Sequence, residues 1–90
     1  MSEVIVSKRD ILLHEKLRIL SEIAPIKEKL RLFEEKYGMT LEEFERRLKS
    51  SEESFEEWDD YIEWRAYLKK LKELESRLKE IENAQRIRVA

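Results

Sequence analysis

The chain has no cysteine, and among its 90 residues there is one glycine, one proline and one histidine. Without cysteine there is neither a disulfide nor a thiolate metal site, and the expected compartment is the cytoplasm. One Gly and one Pro leave little for the turns that a sandwich or barrel requires. His14 lies near Lys8, Glu15 and Arg18, away from converging partners, so it is expected to be a solvated surface residue and not a catalytic or metal-binding one. No apolar run approaches a membrane span or a signal core. No Gly-rich loop is present and no hydroxyl has a visible base, so phosphate cradling and nucleophilic catalysis have no support. Lys and Arg (19) nearly balance Asp and Glu (21), for a net charge of −2. That balance provides no electrostatic footprint for nucleic acid, and direct DNA binding is not expected. The chain reads as non-enzymatic, with no cofactor and no metal.

What is present is charge laid over periodic apolar residues: 44% of the chain is charged and 41% hydrophobic. This predicts long solvated helices in one small all-α domain spanning residues 1–90, of a size that oligomerisation helps to support. The richness in Lys, Glu and Arg suits a thermophile, and equally any long exposed helix.

Three capping boxes mark three helix starts. Ser7-x-x-Asp10, with Val6 and Ile11 at the staple positions, opens a helix over 8–37 that Gly38 ends. Pro25 falls inside it, removes the amide bond back to Ser21, and predicts a kink near Pro25 or a full break. Thr40-x-x-Glu43, stapled by Met39 and Phe44, opens a short helix over 41–49. Residues 50–54 read as a polar connector, and Ser54-x-x-Glu57 opens a long helix over 55–83 whose first turns carry Glu56, Glu57, Asp59 and Asp60, as the helix dipole favours. Two long helices joined by a compact break predict an antiparallel, coiled-coil-like hairpin with the short helix at its tip. Tails over 1–6 and 85–90 are expected to be extended. Val4-Ile5-Val6 and Ile87-Arg88-Val89 are β-prone and could pair with each other, add to a partner's sheet edge, or fray.

In the first helix Leu12, Ile19, Ile23, Ile26, Leu30, Phe33 and Tyr37 fall within about 80° of one another and form the expected hairpin seam. A second row, Leu13, Leu17, Leu20 and Ala24, lies about 110° away and widens the apolar face only before Pro25. This row is the candidate self-association surface, and a homodimer is expected of the isolated chain. In the third helix Tyr67, Leu71, Leu74, Leu78 and Ile81 make the complementary seam. Glu73 with Arg77, and Glu75 with Lys79, are expected as ordinary pairs along that helix.

Phe55, Trp58, Tyr61, Trp64 and Tyr67 stand three apart and make up five of the eight aromatics. Each step of three turns back by about 60°, so the rings sweep roughly 240° and cannot share one core stripe. Upstream of Tyr67, Asp60 and Glu63 occupy the seam's angular sector while Phe55, Trp58, Ile62 and Ala66 move to the opposite side. Either the short helix covers that displaced patch through Leu41, Phe44 and Leu48, or another chain does. The candidate partner-binding residues are therefore Phe55, Trp58, Asp59, Asp60, Tyr61, Ile62, Glu63 and Trp64.

Glu56, Asp59, Asp60 and Glu63 share one helical face, which would suit magnesium. Glu52-Glu53-x-x-Glu56 resembles the first half of the pattern in all-helical nucleotide pyrophosphatases. Their second half, a later Glu-x-x-Asp, is absent, because no aspartate follows Asp60. A solvated acidic face is the expected role.

Leu32-Phe33-Glu34-Glu35-Lys36-Tyr37-Gly38-Met39-Thr40-Leu41-Glu42-Glu43-Phe44, followed by Trp58-Asp59-Asp60-Tyr61-Ile62-Glu63-Trp64 and a leucine-rich helix, resembles small archaeal and bacterial antitoxin-like proteins. The resemblance covers most of the chain. It implies one partner of a toxin–antitoxin pair, whose toxin is typically a small ribonuclease-like or related enzyme and here the product of the adjacent gene. The acidic, aromatic face would then dock on a basic cleft, with Phe55, Trp58 and Trp64 as anchors. No ribbon-helix-helix or helix-turn-helix module is visible, so autoregulation through operator DNA is not implied. The alternative is a self-associating helical scaffold or chaperone-like coiled coil with no toxin partner.

Overall fold

The computed structural model describes residues 7–50 and 54–89. These form three helices, α1 (Lys8–Tyr37), α2 (Leu41–Ser50) and α3 (Phe55–Val89), and no strand among the described residues. Glu15 meets Arg77 while Lys36 meets Asp60, so α1 and α3 run in opposite directions as a hairpin. The radius of gyration is 19.0 Å, against about 12 Å for a compact chain of this length. The molecule is a rod 65 Å long.

Each helix begins where its cap places it. Ser7 Oγ accepts from the Asp10 amide at 3.2 Å, Thr40 Oγ1 from the Glu43 amide at 3.3 Å, and Ser54 Oγ from the Glu57 amide at 3.2 Å. Only the second box is reciprocal, with the Thr40 amide donating to Glu43 Oε1 at 3.5 Å. Its staple also closes, since Phe44 is buried and Met39 packs against the same cluster. Val6, the partner of Ile11 in the first staple, lies outside the described residues, as does Val4-Ile5-Val6 as a whole and most of the 50–54 connector.

Gly38 ends α1 in the left-handed region, φ 64°, and its amide donates to the Glu34 carbonyl at 2.7 Å. α1 runs unbroken through Pro25. Pro25 and Ser21 are both exposed, so water can take the place of the lost amide bond and no break is forced. At the other end α3 continues to Val89, which corrects the extended tail expected over 85–90. Ile87-Arg88-Val89 is helical through Val89 because no glycine or proline follows Asn83 to stop the helix.

Two separate clusters hold the rod together. The stem buries Ile19, Ile23, Leu74 and Ile81, with Leu12, Ile26, Leu71 and Leu78 around them. The tip buries Phe44, Leu48, Tyr61 and Trp64, surrounded by Leu30, Phe33, Tyr37, Met39, Leu41 and Trp58. Each fully buried side chain contributes about 1.5–3 kcal/mol, so both clusters matter to a chain this small. Across the stem, Arg77 grips Glu15 through Nε at 2.7 Å and Nη2 at 3.0 Å. Its Nη1 reaches Glu80 at 2.9 Å. The expected Glu73–Arg77 pair therefore does not form: the guanidinium is spent on the facing helix and on the next turn.

Candidate docking face at the hairpin tip

The tip is built by laying α2 over the start of α3. Phe44 is fully buried, with its ring 4.2 Å from Tyr37, 5.6 Å from Trp64 and 6.5 Å from Tyr61, centroid to centroid. Trp64 is 2% exposed and stacks on Phe33 at 5.5 Å. Trp58 meets the Tyr61 ring edge-on at 5.6 Å. Arg47 lies over both Tyr37 and Phe44, 5.7 and 5.1 Å from their centroids, and also reaches Glu57 at 3.1 Å. The rings of Tyr61 and Trp64 are thus interior, which removes them from the surface expected to meet a partner. α2 covers Tyr61 and Trp64 and part of Trp58, but of the displaced patch it leaves Phe55, Ile62 and Ala66 exposed.

What α2 leaves open is narrow. Phe55 is 91% exposed and Ile62 is 62% exposed. Seven residues apart, they lie within about 20° of one another, two turns and roughly 10 Å along the helix. Exposed Asp59 sits between them, exposed Ala66 continues the stripe, and half-buried Trp58 borders it.

The carboxylates that share this end of α3 have sorted into two groups. Asp60 receives hydrogen bonds from Lys36, at 2.6 Å, and from Tyr37. Lys36 also holds Glu56 at 3.1 Å. Among the described residues Asp59 and Glu63 form no ion pair, so they are the charges a partner would meet. Partial burial pushes the Asp60 carboxyl up, but the bonds from Lys36 and Tyr37 and the Lys36 charge outweigh it and leave it below the usual carboxylate range. Tyr37 is pushed up to about 12, first by burial and then by its bond to Asp60. Glu45, which accepts from the Tyr61 hydroxyl at 2.9 Å, is held low by that bond and by Lys49. Lys36, Tyr37 and Glu45 drew no attention in sequence as parts of the tip, because no local motif marks a contact made 16 to 24 residues away.

With Asp60 and Glu56 committed to Lys36, the four-carboxylate face has no magnesium geometry, and no group of three metal-ligating side chains exists among the described residues. An open groove of about 530 Å³ runs beside the tip, lined by residues that include Leu41, Glu45, Tyr61, Arg65, Leu68 and Lys69. It mixes both signs of charge, and the described residues contain no buried polar side-chain atom without a partner. His14 is exposed. No helix among the described residues is long and apolar enough to cross a membrane.

A second apolar face lies on the first half of α1. Leu13, Leu17 and Leu20 are 47%, 56% and 42% exposed, and Ala24 is exposed beside them. Beyond Pro25 the same face carries Arg31, bonded to Glu28 at 2.6 Å and to Glu35 at 2.7 Å.

Residues 1–86 match the family described as "Uncharacterized protein MJ0235 family". The chain belongs to that family. No curated protein and no solved structure matches it. The family description carries no activity, so the functional reading rests on the surface.

Proposed function

We propose that the protein is a non-enzymatic protein-binding module of the cytoplasm that docks through the outer face of α3 around Phe55 and Ile62. Its partner, in this proposal, is a toxin of ribonuclease-like or related type, which it neutralises by direct contact as an antitoxin.

The observation that carries the proposal is the exposure of Phe55, 91%, one helical stripe with Ile62 at 62%. Large apolar side chains grouped on a surface mark interaction sites more than scattered ones do. Asp59 and Glu63, without ion pairs among the described residues, give that stripe an acidic rim suited to the cations of a nucleic-acid-binding cleft. Trp58 borders the face, while Asp60, Tyr61 and Trp64 hold its shape from behind. The sequence resemblance to antitoxin-like proteins supplies the partner class.

Co-expression with the adjacent gene's product tests it. The pair should co-purify, and the neighbour's enzymatic activity should fall on titration with this chain. Phe55→Asp with Ile62→Asp should abolish that inhibition while leaving the melting temperature within a few degrees. A double variant that still inhibits would reject this docking face, and a neighbour indifferent to the native chain would reject the antitoxin role.

A further inference from the structure

We propose that a second copy of this chain docks antiparallel on the outer face of the first half of α1, with Leu17 of one copy level with Leu20 of the other. This surface is separate from the tip, so it stands or falls independently of the docking face on α3.

Leu13, Leu17, Leu20 and Ala24 follow one another at spacings of four, three and four, the seam of a two-stranded coil. All four are exposed among the described residues. Stepping three residues further in each direction reaches Asp10 and Lys27, both exposed and both without an ion pair among the described residues. One further step reaches Arg31, already held by Glu28 and Glu35, so the seam ends in charge committed elsewhere.

The seam's end charges select its direction. In an antiparallel pair centred between Leu17 and Leu20, Leu13 lies level with Ala24 of the second copy and Asp10 level with Lys27 of the second copy. Symmetry makes each of these contacts twice. A parallel pair would set Asp10 against Asp10 and Lys27 against Lys27, which repel. At one flank His14 falls beside Ser21 of the second copy, and the other flank is closed by α3, against which Ile23 is buried. Lys16 is already turned towards Glu82 of its own chain, 3.9 Å away.

The exposed area agrees with a missing neighbour. A compact chain of 11.0 kDa exposes about 5,600 Å², whereas this rod exposes 7408 Å². The surplus is about twice the roughly 800 Å² that one specific interface removes from each partner, so it leaves room for this contact.

Sedimentation across a concentration series tests both partner and register. The native chain should show a reversible monomer–dimer equilibrium. Asp10→Lys and Lys27→Asp should each weaken it roughly tenfold, and the two together should restore it to within about twofold. Because these positions are exposed, circular dichroism should show all three variants folded. Single variants without effect, or a double variant without rescue, would overturn the antiparallel register. The absence of cysteine makes crosslinking unambiguous: Leu13→Cys with Ala24→Cys should yield covalent dimers under copper phenanthroline, and Ala24→Cys alone should not. A native chain that stays monomeric at millimolar concentration would overturn the second copy as the occupant and assign the seam to a different protein.

Discussion

Phe44 and Phe55 are the same residue in opposite surroundings, and truncating each separates the interior of the tip from its surface. Phe44 is fully buried against Tyr37, Trp64 and Tyr61, with Arg47 over its ring. Phe44→Ala should cost about 3–5 kcal/mol for lost burial and the cavity left behind. The upper half of that range is expected, because ring pairs contribute about 0.5–1.5 kcal/mol each beyond area. A chain of this length is stable by about 5–13 kcal/mol in total, so the substitution removes a large share. Phe55→Ala, at a side chain 91% exposed, should change stability by less than about 0.5 kcal/mol. Urea unfolding is the assay, with a midpoint shift of about 2–3 M expected for Phe44→Ala at ordinary m-values. The chain's two tryptophans, Trp58 and Trp64, both sit at the tip. Their fluorescence therefore reports the tip, while the helical circular dichroism signal comes mostly from the stem. In Phe44→Ala the fluorescence transition should move ahead of the dichroism transition. Equal midpoints for the two variants would refute the burial argument, and coincident transitions in Phe44→Ala would refute the separation of tip from stem.

Two further outcomes follow from the same geometry. A Cβ placed on Gly38 meets nothing within 4 Å, so Gly38→Ala should cost only the left-handed backbone strain, about 1–2 kcal/mol, and Gly38→Asn less; a larger loss by thermal melting would indicate a clash that the structure does not contain. The melting temperature should be flat from about pH 5 to pH 10. With Asp60 and Glu45 held low when folded, their contribution is present above the ordinary carboxylate range and is lost as pH falls below about 4. Tyr37 keeps its proton in the folded state up to about 12, whereas the unfolded chain loses it near 10. Stability should therefore decline again between those values, and a Tyr37→Phe variant that retains the alkaline decline would exclude Tyr37 as its source.

The helix frame was legible in sequence because its determinants are local. Ser7, Thr40, Ser54 and Gly38 act within four residues of themselves, and all four stand where the sequence places them. The stem seam was legible for the same reason, since apolar period alone selects Ile19, Ile23, Leu74 and Ile81. The far end of α3 was not, because β-prone residues after Asn83 favoured an extended tail and only the lack of a stop residue argued otherwise. At the tip, angles alone left two possible covers for the displaced aromatics. Phe44 and Leu48 lay α2 over Tyr61 and Trp64 instead, a tertiary arrangement that leaves Phe55 and Ile62 of the displaced set open. The acidic face likewise looked uniform until Lys36, distant in sequence, singled out Asp60 and Glu56 from Asp59 and Glu63.

The division between tip and stem also orders the chain in time. Contacts at the tip close loops of 16 to 24 residues, as in Tyr61–Glu45 and Lys36–Asp60, whereas the stem contact between Arg77 and Glu15 spans 62. Shorter loops close at lower entropic cost, so the hairpin should zip from the Gly38 turn towards its open end. Changes in the tip should then register in the folding rate, and changes around Ile81 in the unfolding rate. Amide hydrogens should exchange first towards the open end of the described helices, beyond the Arg77–Glu15 contact.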